Sequence, residues 1–248
     1  MTRGLFVSGT DTNVGKTYVA ACLARELHAA GVAVGVYKPA ASGCGLDGGR
    51  IVSSDAVALW EAAGRPGTLD AVCPQRFLAP LAPHLAARAE GRELDRQRLR
   101  DGLEFWRDRC ELLIVEGAGG LLSPLGENEF VADLAVDFQF PMLIVADNKL
   151  GAINQTLQTV FVARHYRGGL PVMGVVLNEA IPDVGERAAD QSRLSNAAEI
   201  SRHAALPLLA TLEFGGQQIR RWPEGGDQRI AWRELIDATM FSQPPRSA

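Results

Sequence analysis

One stretch near the start constrains this chain more than any other: Leu5-Phe6-Val7-Ser8-Gly9-Thr10-Asp11-Thr12-Asn13-Val14-Gly15-Lys16-Thr17. A short apolar run comes first, a Gly-framed polar loop follows, and Lys-Thr opens a segment of helical period. Strand, loop and helix in that order are the context a phosphate-binding loop requires. Glycines let the backbone curl so that its N–H groups face inward, and the helix start adds the positive end of its dipole. Lys16 supplies a mobile charge for the outer phosphates, and the Thr17 hydroxyl suits Mg²⁺. The generic pattern has four residues between its first Gly and the Gly-Lys-Thr, whereas five separate Gly9 from Gly15 here. A Gly-rich loop with an exposed Lys is the bland alternative; a strand and a helix both falling in place weigh against it. The stretch predicts nucleotide binding.

Apolar positions Val19, Ala20, Leu23, Ala24 and Leu27 then recur at helical spacing until Gly31. Val32–Tyr37 is an apolar run without polar alternation, the mark of a strand buried on both faces of a parallel sheet. The same signature returns at Leu112–Val115, Met142–Ala146 and Val172–Leu177, with a shorter run at Leu206–Ala210. Helical patterns lie between: Leu99, Leu103 and Trp106, ending near Cys110, and Ile153, Leu157, Val160 and Phe161, stopped by Gly168-Gly169. This alternation predicts an α/β fold: a single-domain, P-loop NTPase-like structure over 1–248, its sheet mostly parallel with helices on both faces. No repeat or Pro/Gly linker divides the chain. Residues 215–248 differ in character, with only Ile230 to Met240 looking helical, and read as a peripheral tail or lid.

Bulk properties narrow the partners. Charged residues make up 22% and apolar ones 47%, which excludes global disorder. The net charge of −4 favours neither nucleic acid nor an anionic membrane, and no apolar run is long enough to span a bilayer. Met1-Thr2-Arg3 leads straight into a strand, which predicts no signal peptide and a cytoplasmic protein. Cys22, Cys44, Cys73 and Cys110 fit neither a zinc site nor a disulfide framework. Cys44 lies in a loop expected near the active site, where a reactive thiol is conceivable.

Ligands of open α/β sheets sit beyond the carboxyl ends of the strands, so the residues after each apolar run matter most. Lys38-Pro39-Ala40-Ala41-Ser42-Gly43 follows the second strand. Lys38 there would point toward the phosphate loop, although taken alone the segment reads slightly better as a surface turn. Glu116-Gly117-Ala118-Gly119-Gly120 places a carboxylate at a strand end, suited to Mg²⁺, with glycines that let backbone approach a nucleotide. Asp55 is a second candidate ligand, or a helix N-cap, or both. After Asp147-Asn148-Lys149-Leu150-Gly151 comes a helix whose N-terminus can receive a carboxylate. Asn178 suits a purine edge or a turn cap. His28, His165 and His203 read as surface or packing residues, and His84 as a helix start that could line the pocket.

Together these residues resemble the dethiobiotin synthetase family, ATP-dependent carboxylases that close the ureido ring in biotin synthesis. The resemblance rests on Gly9 to Thr17, Lys38-Pro39 with Ser42-Gly43, Ser54-Asp55-Ala56, Pro83-His84, Glu116 to Gly120, and Lys149-Leu150-Gly151 with Ile153-Asn154, and it thins beyond Asn178. The longer phosphate loop is the family's own form. Two positions depart from it: many relatives carry Glu where Asn13 stands and Asn where Ser53 stands. The resemblance implies 7,8-diaminononanoate, CO₂ and ATP as substrates, with Mg²⁺ as cofactor. It implies catalytic roles for Lys16 and Lys38, and metal ligation by Thr17, Asp55 and Glu116. Nucleotide contacts are implied for Asn13, Val14, Gly15, Lys16, Thr17, Tyr18, Asp55, Glu116, Gly117, Ala118, Gly119 and Asn178. Substrate contacts are implied for Ser42, Leu150, Gly151 and Asn154, the last three lent by the second subunit of a homodimer.

Three rival readings stand beside it. Partition and cell-division switch ATPases of the ParA and MinD type carry a signature Lys where this chain has Asp11, and Arg220-Arg221 is a meagre basic surface for reaching membrane or DNA. An amidotransferase-type corrin synthetase needs a further glutaminase domain. A nucleotide-binding relative with altered catalysis is left open by Asn13.

Overall fold

The computed structural model describes residues 3–182, 184–185, 189–223 and 230–241. The first half holds β1 (Arg3–Gly9), α1 (Lys16–Ala29), β2 (Val34–Tyr37), β3 (Ala40–Ala41), β4 (Gly45–Asp47), β5 (Arg50–Val52), α2 (Ser54–Ala62), α3 (Leu69–Val72), β6 (Gln75–Arg76), α4 (Pro83–Ala89) and α5 (Arg96–Trp106). The second half holds β7 (Leu112–Gly120), α6 (Val131–Phe138), β8 (Met142–Asp147), α7 (Ala152–His165), β9 (Val172–Asn178), α8 (Arg193–His203), β10 (Leu208–Leu212), β11 (Arg220–Arg221) and α9 (Trp232–Phe241).

A seven-stranded sheet with the order β11-β10-β9-β8-β1-β7-β2 organises the molecule. All pairings are parallel except that of β11, which adds antiparallel at the edge. Every residue of β8 and all but the first of β1 are buried, as continuous apolar runs covered on both faces should be. β1 lies centrally, with β7 on one side and β8 on the other, so the loop leaving its carboxyl end emerges mid-sheet.

Two strand starts differ from the sequence expectation for local reasons. Val32 belongs to the turn that ends α1: its N–H bonds the Leu27 carbonyl at 3.1 Å, and Gly31 takes φ 83°. The run at Leu206–Ala210 is shifted, because Pro207 lacks an N–H and its carbonyl instead accepts from Val175 at 3.0 Å.

The C-terminal segment is a larger correction. The step from β1 to β2 runs in one direction along the sheet, and those from β2 to β7, β8, β9 and β10 all run in the other. Right-handed crossovers therefore put α1 on one face and α5, α6, α7 and α8 on the opposite one. α1 alone would leave apolar sheet bare on its own side. α9 covers that gap, packing on β1 and β9 with Trp232 and Ile236 buried, and Trp232 Nε1 approaches Glu26 of α1 at 3.4 Å. Residues 230–241 are thus part of the core and not a peripheral tail or lid; 224–229 and 242–248 lie outside the described residues.

Candidate active site

The phosphate loop is built from both its ends. The Thr10 N–H donates to the Val145 carbonyl of β8 at 2.9 Å, fixing where the loop leaves the sheet. At the other end Gly15 takes φ 87° as the N-cap of α1, a left-handed conformation that side chains disfavour. A Cβ on Gly15 would also collide with the amide of Asn178. Asn13 has φ 60°, and Asn is among the few non-Gly residues that adopt this region readily. Val14, between them, is fully buried and anchors the loop from below.

Five side chains converge at the loop. Glu116 Oε1 is almost wholly buried midway along β7, which runs on to Gly120 and does not end at Val115 as the apolar run suggested; it accepts from the Thr17 hydroxyl at 2.8 Å and from Lys38 Nζ at 2.6 Å. Lys38 Nζ also lies 3.0 Å from Asp55 Oδ2. Burial works against the Lys38 charge, but Glu116 and Asp55 outweigh it and raise its pKa above the usual lysine value. Lys16 Nζ donates to the Asp11 carbonyl at 2.8 Å, across its own loop. Burial pushes Lys16 down to about 8; Glu116 pulls it up and Lys38 adds to the lowering.

Two sequence readings change here. Lys38 is not on a surface turn: its N–H bonds the Val72 carbonyl at 2.7 Å and its side chain is buried. The N-cap of α2 is Ser53, whose Oγ accepts from the Ala56 N–H at 3.2 Å. Asp55 is thereby left in the first turn with its carboxylate on Lys38.

A cleft of about 760 Å³ opens over this cluster. Of the residues expected at the site, Asn13, Gly15, Lys16, Thr17, Tyr18, Lys38, Ser42, Asp55, Glu116, Ala118 and Gly119 line it. Val14, Gly117 and Asn178 do not line it but hold its floor. Asn178 Nδ2 donates to the Val14 carbonyl at 3.0 Å, while a Cβ on Gly117 would press on Val131 and Phe6. Leu150, Gly151 and Asn154 are not in the cleft of their own chain. They form the exposed N-terminal turn of α7, where the Leu150 N–H donates to Asp190 Oδ2 at 2.8 Å. This turn is braced by buried Asn196, whose Nδ2 donates to Asn148 Oδ1 and the Lys149 carbonyl.

His84 does start a helix, with Pro83 at its first turn, but its Nδ1 lies 3.0 Å from the Pro124 carbonyl and the ring is not among the cleft residues. Cys44 is buried with Sγ 3.6 Å from the Ala41 carbonyl, and burial raises its pKa, so it is no activated thiolate. Sequence reading missed the outer end of the cleft, where Ala21, Arg25, Ala58, Glu61 and Ala62 lie between α1 and α2. The signal was available: Thr17, Ala21 and Arg25 are spaced four apart on one helix face.

Comparison with known proteins identifies the relatives of this chain. The family profile described as an AAA domain matches residues 3–217. The ATP-dependent dethiobiotin synthetase BioD of Anaeromyxobacter dehalogenans is 47% identical over 222 residues, covering 88% of this chain and 93% of that protein. That of Rhodopirellula baltica is 42% identical over 219 residues, covering 84% and 82%.

The chain belongs to the dethiobiotin synthetase family.

Dethiobiotin synthetases are ligases that use ATP, and this member is an enzyme of that class. Solved structures at lower identity speak to the fold alone. Hydrogenase maturation factor HypB of Archaeoglobus fulgidus has TM-score 0.51 and 15% identity, covering 96% of this chain and 90% of that one. The cell division ATPase MinD of Pyrococcus furiosus has TM-score 0.50 and 18% identity, covering 100% and 93%. They share the α/β fold of this dethiobiotin synthetase family member. Among the described residues no helix is long and apolar enough to cross a membrane.

Proposed function

We propose that this enzyme carboxylates 7,8-diaminononanoate with CO₂ and closes the ring to dethiobiotin at the expense of ATP. The observation that carries the reading is Lys38, a second buried lysine facing the phosphate loop across Glu116. ATP hydrolysis alone calls for the loop lysine; a carbamate waiting beside the γ-phosphate calls for another cation on its far side.

The chemistry balances without covalent help from the protein. One amine of the substrate adds to CO₂ and loses a proton, giving a carbamate. A carbamate oxygen attacks the γ-phosphorus, ADP departs, and a carbamic–phosphoric anhydride results. The second amine attacks the carbamoyl carbon and loses a proton, phosphate leaves, and the ring is closed. The protein must align oxygen with phosphorus and disperse charge over the phosphoryl oxygens. Lys16 and the backbone N–H groups at the start of α1 meet the triphosphate. Lys38 and Ser42 hold the carbamate.

Mg²⁺ fits the residues present. Glu116 Oε2 is buried with no hydrogen-bond partner, and a carboxylate oxygen is a hard donor suited to such a cation. Among the described residues no cluster of three or more acidic, His or Cys side chains could cage a metal, which suits an ion held by one or two carboxylates and by substrate phosphates. Thr17, Asp55 and Glu116 would hold it, and it would supply charge neutralisation at the phosphates.

The substrate's distal carboxylate is assigned to the Leu150–Asn154 turn of a second copy in a cytoplasmic homodimer, because that turn lies outside the cleft of its own chain. The test is product analysis: purified protein with diamine, bicarbonate and MgATP should release dethiobiotin and ADP in equal amounts. ADP release that ignores the diamine would overturn the reading.

A further inference from the structure

The position between Asp55 and Glu116 is already taken. Lys38 Nζ lies 2.6 Å from Glu116 Oε1 and 3.0 Å from Asp55 Oδ2, and the same Oε1 accepts from Thr17. Two of the three groups named above for a divalent cation, Asp55 and Glu116, are thus drawn together by an ammonium, and the third, Thr17, shares the Glu116 oxygen that the ammonium uses. Like charges so close repel strongly where water is largely excluded, so an ion bridging these carboxylates and Lys38 cannot share them unchanged.

We propose that Lys38 is the internal occupant of the metal position, and that the arriving divalent cation expels its ammonium toward the substrate end of the cleft. Metal with nucleotide then loads first, and Lys38 becomes available to the carbamate only afterwards. The order prevents a carbamate from being captured at a site that has no phosphoryl donor. Ser42, which follows Lys38 by four residues, lines the same cleft. This inference rests on the functional reading for the identity of metal and substrate, but the competition between ammonium and cation is a property of the free protein.

That makes it testable without ATP or diamine. Mn²⁺, which takes the same oxygen ligands, can be titrated into the nucleotide-free full chain, with the free ion followed by electron paramagnetic resonance. Lys38→Met and Lys38→Gln should each bind one Mn²⁺ at least about tenfold more tightly than wild type, since the competing charge is gone. Lys38→Arg, which keeps the charge, should bind as weakly as wild type. Circular dichroism identifies the variants that fold, and the neutral pair gives two chances of one. A folded neutral variant that binds Mn²⁺ no better than wild type would overturn the proposal. Lack of diamine-dependent turnover would count against the functional reading and leave this result untouched.

Discussion

Asn178 Nδ2 at the end of β9 holds the Val14 carbonyl of the phosphate loop at 3.0 Å, joining residues 164 apart in sequence. The bond crosses from the sheet to the loop just where Gly15 turns left-handed, and both residues are buried. Losing it leaves a buried carbonyl unpaired, at a cost on the order of 1–3 kcal/mol. Asn178→Ala should therefore weaken inorganic tripolyphosphate as well as ATP, by about tenfold or more in calorimetric titration. Unaltered tripolyphosphate binding would restrict Asn178 to the base.

Gly15→Ala should be worse. The new Cβ meets Asn178 and must adopt φ 87°. Nucleotide binding should be lost in a protein whose far-ultraviolet circular dichroism is unchanged, because the strain is confined to one loop. Wild-type affinity in Gly15→Ala would show that the loop is looser than described.

Lys16→Ala and Lys38→Ala each remove one charge from a preorganised site. Loss of one such contact typically costs on the order of 10²–10³ in rate. Both variants should fold and lose most steady-state turnover. Near-wild-type turnover in either would remove that lysine from the machinery.

The Lys16 pKa sets a pH dependence. Its ordinary value of 10.5 falls to about 8 in the nucleotide-free protein, chiefly through burial. Between these values the unfolded chain binds more protons than the folded one, so this group's contribution to stability grows as pH rises from about 8 toward 10.5 and is lost as pH falls through 8. Nucleotide binding runs the other way, because the triphosphate needs the ammonium. Metal-free ATP affinity should fall above pH 8, with proton uptake on binding seen by calorimetry in two buffers of different ionisation heat. An affinity flat across that pH would contradict the assignment.

Ile236→Ala tests the place of α9. Ile236 is fully buried, and truncations of this kind cost about 2–5 kcal/mol. Chemical denaturation should show that loss, with KM values little changed. A lid would give the opposite pattern: intact stability and altered kinetics.

What could be read from the sequence divides along physical lines. β1, β7, β8 and β9 were legible because continuous apolar runs have few alternatives, and the phosphate loop because its chemistry fixes residue type and spacing. Lys38 looked like a turn residue because its burial comes from Val72 and Glu116, distant in sequence. Asp55 looked like a cap because Ser53, two residues earlier, serves that role equally well by pattern. α9 looked peripheral because the bare sheet face it covers is a consequence of crossover handedness. The pairs β3 with β6 and β4 with β5 are too short to leave a periodic signal.

The measurement closest to the central claim follows one oxygen. With ¹⁸O-labelled CO₂, unlabelled ATP and diamine, a carbamate oxygen that attacks the γ-phosphorus ends in the released phosphate. The account predicts one ¹⁸O in phosphate for each ring closed, read by mass spectrometry before CO₂ exchanges with water. Unlabelled phosphate accompanying dethiobiotin would contradict it.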